Sequence, residues 1–169
     1  GLEYTFKNNS GKEMEACFSY HVENYMRIEI PSEWGGRYEG GHSISGVKNG
    51  ILLQQECHPD KPHYKGDFAF VCDDPNTITD LCWFRGGWFD SRTVLWKDIT
   101  EFSFAEDTTT HRSPGASLYV PFKLEPGEEK TIRIMMSWYV PHSNLRVGLG
   151  PVPDEQLKED LSECKPGSE

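Results

Sequence analysis

Short runs in which every second residue is apolar, broken by Gly, Pro, Asn and Asp, recur from Leu2 to Trp138. A period of two marks half-buried strands, because successive side chains of an extended chain point to opposite faces. Leu2-Glu3-Tyr4-Thr5-Phe6 alternates, Asn8-Asn9-Ser10-Gly11-Lys12 supplies a turn, and Met14, Ala16, Phe18, Tyr20 and Val22 share one face of the next run. That pattern predicts a hairpin. Further strands are predicted at 25–30, stopped by Pro31, and at 43–47, 50–57, 65–72 and 78–84. The Gly-rich stretch 31–42 reads as a surface loop. Two late runs are the clearest: Leu118, Val120, Phe122 and Leu124 on one face, then a Pro126-Gly127 turn, then Ile132, Ile134, Met136 and Trp138 on a buried face. Pro121 has no N–H for a ladder, which predicts an edge or a bulge there.

Helical spacing is rarer. Asp90 to Thr93 can cap a helix that buries Val94, Leu95, Ile99 and Phe102, and Asp154 can cap a second carrying Leu157, Leu161 and Cys164. The expected fold is all-β: an antiparallel β-sandwich, supersandwich-like, with one or two short helices. Residues 1–150 are expected to form a single sandwich domain, and 151–169 an acidic tail or linker. The chain opens without Met on residues that already alternate, which suggests a fragment of a larger domain.

Composition narrows the chemistry. A net charge of −10 over 169 residues, with no basic patch, excludes nucleic acid as a partner. No apolar run approaches the ~20 residues of a membrane helix. Five widely spaced cysteines without a C-x-x-C read as reduced, mostly buried thiols, which leans towards a reducing compartment but leaves the location unknown. Asn8-Asn9-Ser10 is a glycosylation sequon, a triplet common by chance.

Catalytic and metal motifs are missing. Cys57-His58-Pro59-Asp60-Lys61-Pro62-His63 holds ligand-type residues in one loose cluster, whereas zinc sites use close pairs on fixed elements, so it reads as a solvated turn. No Ser stands in a G-x-S-x-G elbow, and no carboxylate is singled out as acid or base. No catalytic residue, metal ligand or cofactor is therefore assigned. The aromatic residues are the remaining candidates. Trp83-Phe84-Arg85-Gly86-Gly87-Trp88 offers rings and a guanidinium that suit carbohydrate, with Trp83, Arg85 and Trp88 as contacts. The competing reading puts Trp83 in the core. Trp34 and Tyr38, in the Gly-rich loop, are separate candidates.

Four features in order resemble the N-terminal domain of glycoside hydrolase family 116, the family of non-lysosomal glucosylceramidase or bile-acid β-glucosidase. They are the turn Phe6 to Gly11; Asn49-Gly50-Ile51-Leu52-Leu53 leading to Tyr64 to Phe70; the segment Thr93 to Ile99; and Gly115 to Trp138 with its Trp-x-x-Pro ending. The order covers most of residues 5–142. Tyr139 departs from the family's usual Trp-Asp-x-Pro. The resemblance implies that nucleophile and acid/base belong to a helical domain following the sandwich, so no catalytic residue carries over. It implies a non-catalytic sandwich whose partner is the helical catalytic domain of the same polypeptide, serving a carbohydrate or glycolipid substrate. Whether this chain itself is an enzyme is left open. A stand-alone carbohydrate-binding module and an adhesion-type sandwich are the alternatives.

Overall fold

The computed structural model describes residues 1–30, 37–38, 41–83, 91–104 and 113–143. In chain order the elements are β1 (Leu2–Lys7), β2 (Met14–Glu23), β3 (Glu29–Ile30), β4 (Arg37–Tyr38), β5 (His42–Val47), β6 (Gly50–Gln55), a 3₁₀ turn at Pro62–Tyr64, β7 (Gly66–Cys72), β8 (Ile78–Asp80), α1 (Ser91–Glu101), β9 (Gly115–Leu124) and β10 (Glu129–Tyr139). They form a five-stranded sheet ordered β1-β10-β7-β6-β5, a three-stranded sheet ordered β2-β9-β8, and a β3–β4 ribbon. This is the all-β sandwich that the alternation implies.

The chain divides into two compact units: residues 1–24, 44–52 and 69–137 in one, and 25–43, 53–68 and 138–169 in the other. In the first unit the sandwich core lies between the sheets. Tyr4 and Phe6 meet Phe18 at ring distances of 5.3 and 6.1 Å, Phe6 meets Phe122 at 5.4 Å, and Tyr20 meets Phe70 at 5.3 Å. Around these rings Ile51, Leu118, Val120, Ile132 and Ile134 are fully buried. At about 25 cal/mol per Å² of apolar surface removed from water, this inner face is the main source of stability. The register Phe18↔Val120 and Tyr20↔Leu118 keeps the apolar sets of β2 and β9 on that face.

The turn between β1 and β2 is organised by Asn8, which is 2% exposed; the predicted hairpin does not form, because β1 pairs with β10 in one sheet and β2 with β9 in the other. Its Nδ2 donates to the Lys12 and Leu124 carbonyls, both at 2.8 Å, and its Oδ1 accepts from the Ser10 N–H at 2.9 Å and the Ser10 hydroxyl at 2.7 Å. The sequon asparagine is thus a buried structural clamp whose amide nitrogen is engaged. Pro121 sits in β9 beyond the reach of β8, whose pairing covers only Ser117 to Tyr119. It is on a local edge, as its missing donor requires.

Several expectations are corrected. Strand 25–30 shrinks to Glu29–Ile30 because the chain turns at Tyr25 and Met26 after the Asn24 N–H bonds to the Pro114 carbonyl at 2.8 Å. Strand 78–84 stops at Asp80, whose Oδ1 accepts the Cys82 N–H at 2.9 Å and bends the backbone. Phe102 lies past the end of α1 in the left-handed region (φ 50°) and is half exposed rather than part of a buried stripe. The Ser103 N–H reaches the Asp98 carbonyl at 3.1 Å, a helix stop that usually uses glycine. Trp138 is 68% exposed, not buried; it lies beyond Ile134, the last β10 residue that β1 pairs with. Cys57 is disulfide-bonded, whereas Cys17, Cys72 and Cys82 are free thiols, so the uniform reduced-thiol reading does not hold. The second predicted helix, at 154–164, lies outside the described residues.

Candidate functional site

Antiparallel pairing places matching side chains of neighbouring strands on one face. On the outer face of the three-stranded sheet this lines up His21, Ser117 and Asp80, one from each strand. His21 Nδ1 and Ser117 Oγ are 2.8 Å apart, and the Trp83 indole N–H donates to the same Oγ at 2.8 Å. A neutral His21 can meet Ser117 Oγ in either tautomer, because Oγ can accept the indole hydrogen and still either donate to Nδ1 or accept from an Nδ1–H. Burial pushes the imidazole below its ordinary value, in keeping with that neutral state. Among the described residues Nε2 is buried without a hydrogen-bond partner.

The pair satisfies the distance rule for a nucleophile and its base. It cannot act as one. Ser117 is 0% exposed, and Asp80 lies on the far side of Ser117 from His21, where it cannot orient the imidazole as a triad acid does. The row is a structural latch between β2, β9 and the Cys82–Trp83 segment. Gly115 makes the latch possible: a Cβ there would collide with the Val22 carbonyl and come within 2.5 Å of the Trp83 ring.

Trp83, offered from the sequence as a sugar contact, is 4% exposed. A ring closed over Gly115 and bonded to Ser117 has no free face for a pyranose, so the core reading of Trp83 is the one the fold adopts. Trp34, Arg85 and Trp88 lie outside the described residues, and for Tyr38 only the backbone of β4 is described. Of the five, only the Trp83 side chain lies among the described residues.

Elsewhere two pairs of neighbouring carboxylates hold a cation between them. Glu13 and Glu15 flank Lys123 Nζ at 3.7 and 2.6 Å, and Glu3 and Asp73 flank the Arg133 guanidinium at 2.5 and 3.4 Å. The Glu15 hydrogen bond and the neighbouring charges push Lys123 up from its ordinary value, and Glu3 does the same for Arg133. These are exposed cross-strand ladders, not two acids facing one another across a cleft. Among the described residues no group of three or more His, Cys, Asp or Glu is placed to hold a metal, and no helix is long and apolar enough to cross a membrane.

Two cavities have definite chemistry. One, of about 230 Å³, is lined by Ala16, Phe102, Pro121 and Phe122, with Glu15 and Lys123 at its charged side. The other, of about 220 Å³, lies in the second unit and is lined by Ser43, Gln54, Gln55, Glu56, Lys65 and Asp67. In that unit, three successive residues at the end of β10 and just past it are also bared: Trp138 at 68%, Tyr139 at 58% and Val140 at 46%. Neither the latch nor the polar cavity could be read from local sequence, because each joins residues far apart in the chain.

A family model described as beta-glucosidase 2, glycosyl-hydrolase family 116 N-term matches residues 1–149. No curated protein sequence matches the chain.

Proposed function

From the premise that this chain belongs to the N-terminal domain family of family 116 glycosyl hydrolases, we propose that it is the non-catalytic sandwich of a β-glucosidase- or glucosylceramidase-like enzyme. Its role is to support a helical catalytic domain of the same polypeptide. The family match across residues 1–149 carries this reading. The domain is the sandwich of residues 1–150, and 151–169 is the acidic connection that follows it. The substrate of the whole enzyme is a carbohydrate or a glycolipid headgroup, and Trp34, Tyr38, Arg85 and Trp88 are candidates for its rim.

Two structural features support a supporting rather than a reacting role. The Ser–His pair is sealed beneath Trp83, and the pairs Glu13/Glu15 and Glu3/Asp73 each share a cation. The bared run Trp138-Tyr139-Val140 is the kind of apolar surface that another domain covers. It also stands where the family's Trp-Asp-x-Pro ending is replaced by Trp-Tyr-Val-Pro.

The test compares the isolated chain with the full-length polypeptide on a chromogenic β-glucoside. The full-length protein is expected to turn it over and the isolated chain is not. Trp138→Ser with Tyr139→Ser should lower the melting temperature of the full-length protein and leave that of the isolated chain unchanged. Turnover by the isolated chain would refute the non-catalytic assignment.

A further inference from the structure

The polar cavity lies where β6 ends and β7 begins, beside the start of β5. We infer that it is a binding site for a single monosaccharide ring. Its volume of about 220 Å³ lies below the ~300–1,000 Å³ of sites for drug-sized ligands, which limits the occupant to one ring rather than a chain of them.

The lining selects the chemistry. Ser43, Gln54, Gln55, Glu56, Lys65 and Asp67 contribute a hydroxyl, two amides, two carboxylates and an ammonium, with no apolar side chain among them. A ligand that fits must offer hydrogen bonds in most directions. A phosphate is disfavoured by two carboxylates against one ammonium, and a bare divalent cation by the ammonium itself. Sugar hydroxyls each donate and accept at once, so adjacent hydroxyls can give to a carboxylate while receiving from an amide or Lys65.

The groups are also held in place. The Gln54 Nε2 donates to Asp67 Oδ1 at 3.2 Å, which orients both side chains and leaves the Gln54 carbonyl and the second Asp67 oxygen for a ligand. The Glu56 N–H donates to the Gly41 carbonyl at 2.7 Å. Gly41 is in the left-handed region (φ 80°), and a Cβ there would stand 3.1 Å from Glu56 Cβ, so this wall closes only over glycine. Among the described residues the Glu56 carboxylate and the Lys65 ammonium have no ion-pair partner, although both line the cavity. All of these residues belong to one compact unit. The site stands on this geometry alone and does not depend on the supporting role proposed above.

Saturation-transfer NMR on the chain, with glucose, galactose, mannose and methyl β-glucoside as probes, tests it. Transfer to ring protons of at least one probe is expected. Asp67→Ala should weaken that binding about ten-fold or more, as loss of a hydrogen bond to a charged group does, and Glu56→Gln should weaken it with the far-ultraviolet spectrum unchanged. Trp138→Ser should leave binding intact. No transfer to any probe, or transfer undiminished in both variants, overturns the assignment. So does calcium chloride alone binding at Asp67 and displacing the sugar. Because binding is read without turnover, this result is separate from whether the chain hydrolyses a glucoside.

Discussion

Ser117→Ala tests the latch most directly. The substitution removes one oxygen and hardly changes packing volume, so its effect is almost wholly that of lost hydrogen bonds. Two groups lose a partner: the Trp83 indole N–H and His21 Nδ1, both 2.8 Å from Oγ. A buried donor left without an acceptor costs about 1–3 kcal/mol. Trp83 is almost fully buried and takes the upper part of that range, whereas His21 is only partly buried and takes the lower. The expected destabilisation is ~2–4 kcal/mol. With a urea slope of about 2 kcal/mol per molar, the unfolding midpoint should fall by roughly 1–2 M at unchanged slope. A double-mutant cycle isolates the bond from packing. Trp83→Phe removes the orphaned N–H, so in the Ser117→Ala background it should do less harm than in the wild type. The coupling should be about 1–2 kcal/mol. Strict additivity, or a Ser117→Ala effect below about 0.5 kcal/mol, would refute the account of Ser117 as the shared acceptor.

Three further perturbations follow from the same contacts. Asn8→Asp places a carboxylate against the Lys12 and Leu124 carbonyls where an amide now donates to both, and should destabilise by ~2–4 kcal/mol in urea titration; a neutral effect would deny Asn8 its clamp role. Acid should lower stability in two steps, because both groups concerned have depressed folded values. Burial holds His21 low, so its contribution is complete above the unfolded value of about 6.5 and is lost as pH falls through the lower folded value. For Asp74, burial alone would raise the carboxyl, but Lys130 at 2.6 Å and the Asn76 N–H outweigh it; that contribution is complete above about 3.9 and is lost below. His21→Gln should erase the upper step of the urea midpoint against pH, and Asp74→Asn the lower. Burial pushes the Cys17 thiol up to about 11, so its iodoacetamide labelling at pH 8 should run about 100-fold slower than in the unfolded chain. Peptide mapping that finds equal rates would contradict the burial of that thiol.

What the sequence disclosed was local, and what it hid was pairing. The faces of β2 and β9 were legible because Met14 to Val22 and Leu118 to Leu124 alternate within one strand. That β1 pairs with β10, Leu2 opposite Ile134, is set by contacts across most of the chain and leaves no local trace. Where local pattern and pairing conflict, pairing wins. Trp138 stands in phase with Ile132 and Ile134, yet it is 68% exposed, beyond the last residue of β10 that β1 pairs with. Tyr25 to Ile30 looks extended, yet the Asn24–Pro114 bond turns the chain first. Phe102 keeps helical phase with Leu95 and Ile99, yet its left-handed backbone takes it out of the helix.

The same conflict explains why Trp83 was a poor guide to a ligand. In an alternating strand protein a large ring is first of all core material, and Trp83 is claimed by Ser117 and by the space that Gly115 leaves. A polar residue at a strand end faces no such competition. Ser43, Gln54, Glu56, Lys65 and Asp67 each look in isolation like ordinary solvated termini, and only the neighbouring order of β5, β6 and β7 gathers them round one cavity. Of the six lining residues only Gln55 is buried, whereas Ser43 and Glu56 are exposed, so the cavity opens to water and its polar groups are accessible to a ligand from solution. A sugar can use these groups without calling on any aromatic platform. Hence it is the sheet order, which sets strand ends side by side, that marks this cavity for a binding role, a feature no count of Trp or Tyr along the sequence could show.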